Sequence, residues 1–173
     1  MSDQTYIIIL RLLHISFGMF WAGSALFFSL YLIPSLKAAG PDGAKFMQAF
    51  GRSGYPIAAM ISAIITILSG FLLIWKLSGG FQAVWFHSWY ARVLTTGASM
   101  AFVAFIVGFT INRPCAAKMN KIGVAIAKQG TPPTPEQLNE IMALRKKLFA
   151  GANIIAILLA LAVAGMSVFR YVG

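Results

Sequence analysis

The run from Ile7 to Pro34, "IIILRLLHISFGMFWAGSALFFSLYLIP", decides the class of this chain. It holds no acidic residue and a single basic one, Arg11, and it is longer than the ~20 residues a helix needs to cross a bilayer. Three further runs of this kind follow at Pro56–Trp75, Val93–Ile111 and Leu148–Phe169, none with a charged residue. Across all 173 residues, 59% are apolar and 10% are charged, well below the roughly 25% charged that soluble domains carry. The expected architecture is all-α: a four-helix transmembrane bundle, up-down-up-down, in one integral membrane domain over residues 1–173. The leading "MSDQTY" has no basic n-region, and the apolar run behind it is too long for a signal-peptide core, so the first helix is read as retained.

The net charge of +10 would suit nucleic acid, but its placement argues for membrane topology instead. Lys37, Lys45 and Arg52 lie between the first two spans, and Arg113, Lys118, Lys121, Lys128, Arg145, Lys146 and Lys147 between the last two. Only Arg11, Lys76, Arg92 and Arg170 fall on the other side. That asymmetry predicts that both basic loops are cytoplasmic and both termini face outward, in a multi-pass protein of the cell inner (cytoplasmic) membrane. The lipid bilayer is then the first partner, with anionic headgroups against the basic loops. No nucleic-acid partner is expected, and the oligomeric state is open between monomer and homo-oligomer. The lone Cys115 excludes an internal disulfide and a cysteine-based metal site.

The connection after the third span does not read as a loose loop. Met119, Ile122 and Ile126 recur at helical spacing, and "TPPTPEQ" then turns the chain. Thr134 as cap, Pro135 at the first position and Gln137 at the third form a capping box, from which Leu138, Ile141, Met142 and Arg145 continue in register. The expectation is an extended cytoplasmic hairpin between helices 3 and 4, with Glu136 and Glu140 toward its basic arm. The outer loop "KLSGGFQ" is short, which predicts that helices 2 and 3 are neighbours; Ser53 is the expected cap of helix 2. Small residues at four-residue spacing predict the packing faces: Gly18 and Ala22; Ala58, Ser62, Thr66 and Gly70; Ala91, Thr95 and Ser99; Ala152, Ala156, Ala160 and Ala164. Asn153, the one strongly polar amide deep in helix 4, is expected to bond to a neighbouring helix.

The chain has two histidines, His14 inside the first span and His87 in "VWFHSWYAR". A polar group in a span needs partners, which a bundle supplies as hydrogen bonds or as a metal. Measured down to Lys37 and to Arg113 at ~1.5 Å per residue, their heights differ by about 4–5 Å, so both lie in the outer leaflet. Two such imidazoles suit axial ligation of one haem iron. Arg11, His14, Gly18 and Trp21 share a helix face. Gly18 would leave room for a porphyrin, Trp21 would pack on its edge, and Arg11, Lys76 and Arg92 would meet its propionates. Each feature also has a plain structural reading: a core hydrogen bond for His14, an interfacial aromatic belt around His87, snorkelling for Arg11 and Arg92, and close helix packing for Gly18.

The pattern "LHISFGMFWAG" resembles helix 1 of two related groups of small membrane proteins, the copper-resistance D-like proteins and the membrane protoporphyrinogen oxidases that carry haem b. It shares their Leu-His pair, the tryptophan seven residues on and the following glycine: Leu13, His14, Trp21 and Gly23. The resemblance implies that His14 is a haem ligand. Where the oxidases follow a tryptophan–histidine stretch with an essential lysine, this chain has Trp85, His87 and then Arg92. The resemblance therefore implies haem b and not that family's reaction.

Three functions compete. One is a b-type haem protein with His14 and His87 as axial ligands, passing electrons between a quinone or a redox protein and the outer surface. A relay of that kind would count as an oxidoreductase; no catalytic residue is assigned. Another is copper or other metal handling, although Met19, Met60 and Met100 form no Met-rich run. The third is a cofactor-free membrane subunit that docks a partner through the cytoplasmic hairpin.

Overall fold

The computed structural model describes residues 2–172, which form helices with no strand among them. Helix α1 covers Asp3–Ala38 and α3 covers Tyr55–Leu77, with the shorter α2, Gly40–Gly51, between them. The single turn α4, Ala83–Phe86, precedes α5, Trp89–Gln129, and α6 runs over Pro135–Val168 into a short 3-10 turn at Phe169–Tyr171. Helices α1, α3, α5 and α6 are each long and apolar enough to cross a membrane. Large apolar side chains such as Leu12, Met19, Ile57, Leu68 and Ile157 point outward, as a lipid solvent allows. The chain is thus built as a multi-pass membrane protein.

Prolines explain the two irregularities in the long helices. Pro34 and Pro114 each lack an N–H, and each ring crowds the carbonyl four residues earlier. Both helices widen into a π turn just ahead, at Phe28–Leu32 and Gly108–Asn112, with Ile33 N–H donating to Phe28 O and Arg113 N–H to Gly108 O. The helix therefore continues through the proline instead of stopping. Ser35 Oγ donates 2.8 Å to Tyr31 O and so serves one of the carbonyls next to the disturbed turn.

The segment after α1 doubles back. Gly40 takes φ +55°, and a side chain on Gly43 would run into the Leu36 carbonyl. Both glycines are needed for α2 to fold against the end of α1. The sequence predicts a basic loop here, but the stretch is a helix, with Phe50 tilted against Phe28 and Tyr55, the latter 4.8 Å away between ring centroids. Helix α3 begins one residue later than expected: Gly54 holds the cap position, while Ser53 Oγ accepts from Tyr55 N–H at 3.2 Å. The capping box of α6 is present as expected, with Gln137 N–H on Thr134 Oγ1 at 3.3 Å and Thr134 N–H on Gln137 Oε1 at 2.9 Å.

Helix α1 packs along α3 and α6, and α5 packs along α6. Helices α3 and α5 touch only sparsely, contrary to the expectation that the outer loop makes them close neighbours. Gly79, Gly80 and Phe81 all take positive φ, and α4 adds a turn. The small face of α3 is also already occupied by α1, and that of α5 by α6. The second arm of α5 lies against the start of α6, with Lys118 Nζ 2.5 Å from Glu140 Oε1. Both ends of that pair are substantially exposed, so it contributes under about 1 kcal/mol. Glu136 has no ion pair among the described residues.

Four helices meet at Trp21, which is buried with Ala22, Ala63, Ala101, Ala104, Leu159 and Ala162. On α5 the buried face is Ala91, Leu94, Gly97, Ala101 and Ala104, and Ser99 of the expected stripe is exposed. On α6 it is Ala152, Ala156, Leu159 and Ala162, leaving Ala164 outside. Strict four-residue steps overshoot a 3.6-residue turn, so the contact stripe alternates threes and fours. Asn153 accepts 2.7 Å from Ser29 Oγ, the cross-helix bond expected of it.

A Cβ on Gly97 would lie 3.1 Å from Ala162 O and 3.5 Å from Met166 Cγ, whereas one on Gly23 would meet nothing within 4 Å. Gly97→Ala should cost about 1–3 kcal/mol by prising α5 from α6, and Gly23→Ala should stay within ~0.5 kcal/mol of the parent, both read by thermal unfolding in detergent. The backbone at the α6 start and the Thr134 hydroxyl hold the Glu136 carboxyl below its ordinary range. A depressed carboxylate stabilises above its unfolded pKa, so the α6 start should fray as pH falls through the lower folded value, visible as loss of amide protection at Gln137 and Leu138.

Candidate functional site

His14 faces α3, not α5. Its Nδ1 lies 2.9 Å from Thr66 O and 3.4 Å from Ser69 Oγ. A carbonyl only accepts, so Nδ1 carries the proton and donates it to Thr66. The Ser69 hydroxyl donates to Ile65 O at 2.6 Å, which leaves its oxygen facing His14 as a second, weaker acceptor. The Nε2 atom makes no hydrogen bond among the described residues. In the neutral ring it therefore keeps its lone pair available.

The cradle depends on two glycines. A Cβ on Gly70 would come 2.7 Å from His14 Cε1 and 3.1 Å from Nδ1, so the ring lies flat in the space that the missing side chain leaves. One turn along α1, a Cβ on Gly18 would come 3.3 Å from Thr66 Cγ2. Gly18 thus brings α1 close to α3 rather than lining open space. Thr66 and Ser69 are both buried, and the Thr66 hydroxyl is turned back onto its own helix at Ser62 O, 2.7 Å.

The other residues singled out from the sequence each have surroundings of their own. Trp21 fills the bundle centre, and Arg11 and Arg92 are exposed and unpaired among the described residues. Lys76 pairs with Asp3 at 3.1 Å. His87 is exposed, and its backbone N–H ends the α4 turn by donating to Val84 O. No hydrogen bond joins the two imidazoles, and among the described residues no three His, Cys, Asp or Glu side chains gather into a group that would hold a metal. Cys115 is buried, in keeping with a packing role.

His14 is legible in the sequence, but what holds it is not: Thr66 and Gly70 read only as parts of a small-residue stripe, and Ser69 lies outside that stripe. The available signal was a Thr-x-x-Ser-Gly cluster at the depth of a lone intramembrane histidine. No family model matches this chain, nor does any curated protein or solved structure.

Gly70→Ala should displace the imidazole and break its bond to Thr66, costing about 1–3 kcal/mol. The double variant with His14→Ala should be no less stable than His14→Ala alone, because the added methyl then enters vacated space. A double-mutant cycle on unfolding temperature in detergent checks this, and additive losses would show that the ring does not occupy the Gly70 space.

Proposed function

We propose that this chain is an integral membrane haem b protein in which His14 and His87 would hold the haem, serving electron transfer. One observation carries the reading: His14 donates Nδ1–H to a backbone carbonyl and leaves Nε2 unpartnered. That is the outer-shell arrangement typical of metal-ligating histidines, because the donated bond fixes the tautomer, orients the ring and raises the basicity of the ligating nitrogen. The donor set fits haem on this side. His87, exposed on a loop, is free of competing side-chain bonds among the described residues.

The resemblance around Leu13, His14, Trp21 and Gly23 supports the same cofactor. Held by these two imidazoles, haem would supply single-electron transfer. The residues of the chain would act around it. Thr66 holds the His14 proton at Nδ1, Gly70 admits the ring, and the cationic Arg11 and Arg92 offer partners to propionate carboxylates. We further propose that the helices alternate in direction, with the α5–α6 extension and α2 on the cytoplasmic side and both termini outside. The distribution of basic residues favours this orientation.

A second reading, a cofactor-free subunit that docks a partner through the α5–α6 extension, is favoured by a different observation. The Thr66 bond already satisfies the donor of His14, so a helix–helix role accounts for one of its two nitrogens.

The purified protein, expressed with haem precursor, should be red with a reducible Soret band. His14→Ala should abolish the band, and His87→Ala should lower haem retention. A colourless wild type overturns the haem reading. In that case His14→Gln with His87→Gln should leave partner binding intact, while charge reversal at Lys118 and Lys121 removes it.

A further inference from the structure

One end of the α1–α3 seam carries a cleft unrelated to the histidine cradle. The first turn of α1 lies beside the last turn of α3, and Asp3, Tyr6, Trp75 and Lys76 line a shallow, open groove of ≈320 Å³. Lys76 Nζ is 3.1 Å from Asp3 Oδ1, 5.6 Å from the centre of the Tyr6 ring and 6.0 Å from that of Trp75. The Lys76 side chain is 32% exposed and that of Asp3 87%, so the carboxylate is the more open of the two to an incoming group. Buried Leu10 follows Tyr6 by about one turn of α1 and closes the seam between the cleft and His14.

The position and chemistry of this cleft select a ligand. It lies at the ends of two membrane-crossing helices, where a tyrosine and a tryptophan mark headgroup depth. Among the described residues it carries one cation, one anion and two aromatic faces, whose charges balance. An anionic headgroup would take Lys76 for its phosphate and leave the Asp3 carboxylate unpaired beside it. A zwitterion meets both charges.

We propose that this cleft binds the headgroup of a phosphoethanolamine lipid, with the phosphate on Lys76 and the primary ammonium on Asp3 over the Tyr6 and Trp75 rings. Binding replaces one internal ion pair by two. As Lys76 turns to the phosphate, the ring faces it covered become available to the incoming ammonium, which they attract through the ring quadrupole. A primary amine also donates hydrogen bonds to the Asp3 carboxylate, and a quaternary choline cannot.

The test uses the full chain in mild detergent, followed by native mass spectrometry and thermal unfolding with short-chain phosphatidylethanolamine, phosphatidylcholine and phosphatidylglycerol. The ethanolamine lipid should be retained about tenfold more tightly than the other two and should raise the unfolding temperature. Free phosphoethanolamine should displace it. Asp3→Asn and Lys76→Gln should each lower its retention to the level of the choline lipid, with helicity unchanged, and Asp3→Asn should improve retention of phosphatidylglycerol. Equal retention of all three lipids overturns the proposal, as does unchanged ethanolamine-lipid retention in both variants. Binding of free phosphoethanolamine without retention of the lipid would overturn the assignment to a membrane lipid.

Discussion

Helices in lipid gain nothing from burying apolar surface against each other, because the hydrocarbon around them is equally apolar. Association then rests on close contact, and close contact rests on small residues. Ala91 is fully buried, Gly97 abuts the Ala162 carbonyl, and Gly18 abuts Thr66. Bulky residues such as Leu12, Phe71 and Ile157 are left to face the hydrocarbon. Trp21 is the exception that supports the rule. It is admitted to the centre because Ala22, Ala63, Ala101, Ala104 and Ala162 surround it and give up the volume that it takes.

The same solvent also explains why polar side chains cluster where the backbone is disturbed. No water is present at that depth to serve a freed carbonyl or N–H, so side chains must. Ser29 sits within the π turn of α1 and donates to Asn153 of α6, and Asn112 ends the π turn of α5 and donates to Leu148 O at 3.4 Å. Helix α6 is therefore stitched to both prolyl helices within one stretch, residues 148–153. Gly151 lies in that stretch, and the Asn112 carbonyl oxygen occupies the place where its side chain would be. Helices α1 and α5 thus solve the proline problem in one way and use one partner for it.

What the sequence discloses follows from how each signal arises. The four spans and the α6 capping box are forced by hydropathy or local in pattern and can be read from residues alone, whereas for Glu140 and Asn153 only the general direction of their partners can. The pairing of helices is not. Every span carries a small stripe, and no stripe names its partner, so the length of the outer loop suggested α3 beside α5 when α1 and α6 are their true partners. Helix α2 is not legible in the sequence because Lys45 and the flanking Lys37 and Arg52 advertise a loop while its fold depends on Gly40 and Gly43. For the site, an isolated histidine in a span drew attention at once. Its neighbours did not, because the decisive acceptor is a backbone carbonyl, which has no signature in the sequence.

That last point fixes how the chemistry of His14 can be altered. No substitution at Thr66 removes its carbonyl, so the tautomer is set by the approach of two backbones and not by a replaceable side chain. The approach is governed by Gly18 against the Thr66 methyl and by Gly70 beneath the imidazole. A methyl group at either position widens the seam or turns the ring, and in both cases Nδ1 loses its acceptor. Once freed, the proton is no longer confined to Nδ1, and the lone pair on Nε2 is no longer assured. Helix packing and ligand chemistry are thus one geometric condition at this position. The two glycines that look like ordinary packing residues are the ones that keep the proton on Nδ1 and the lone pair on Nε2.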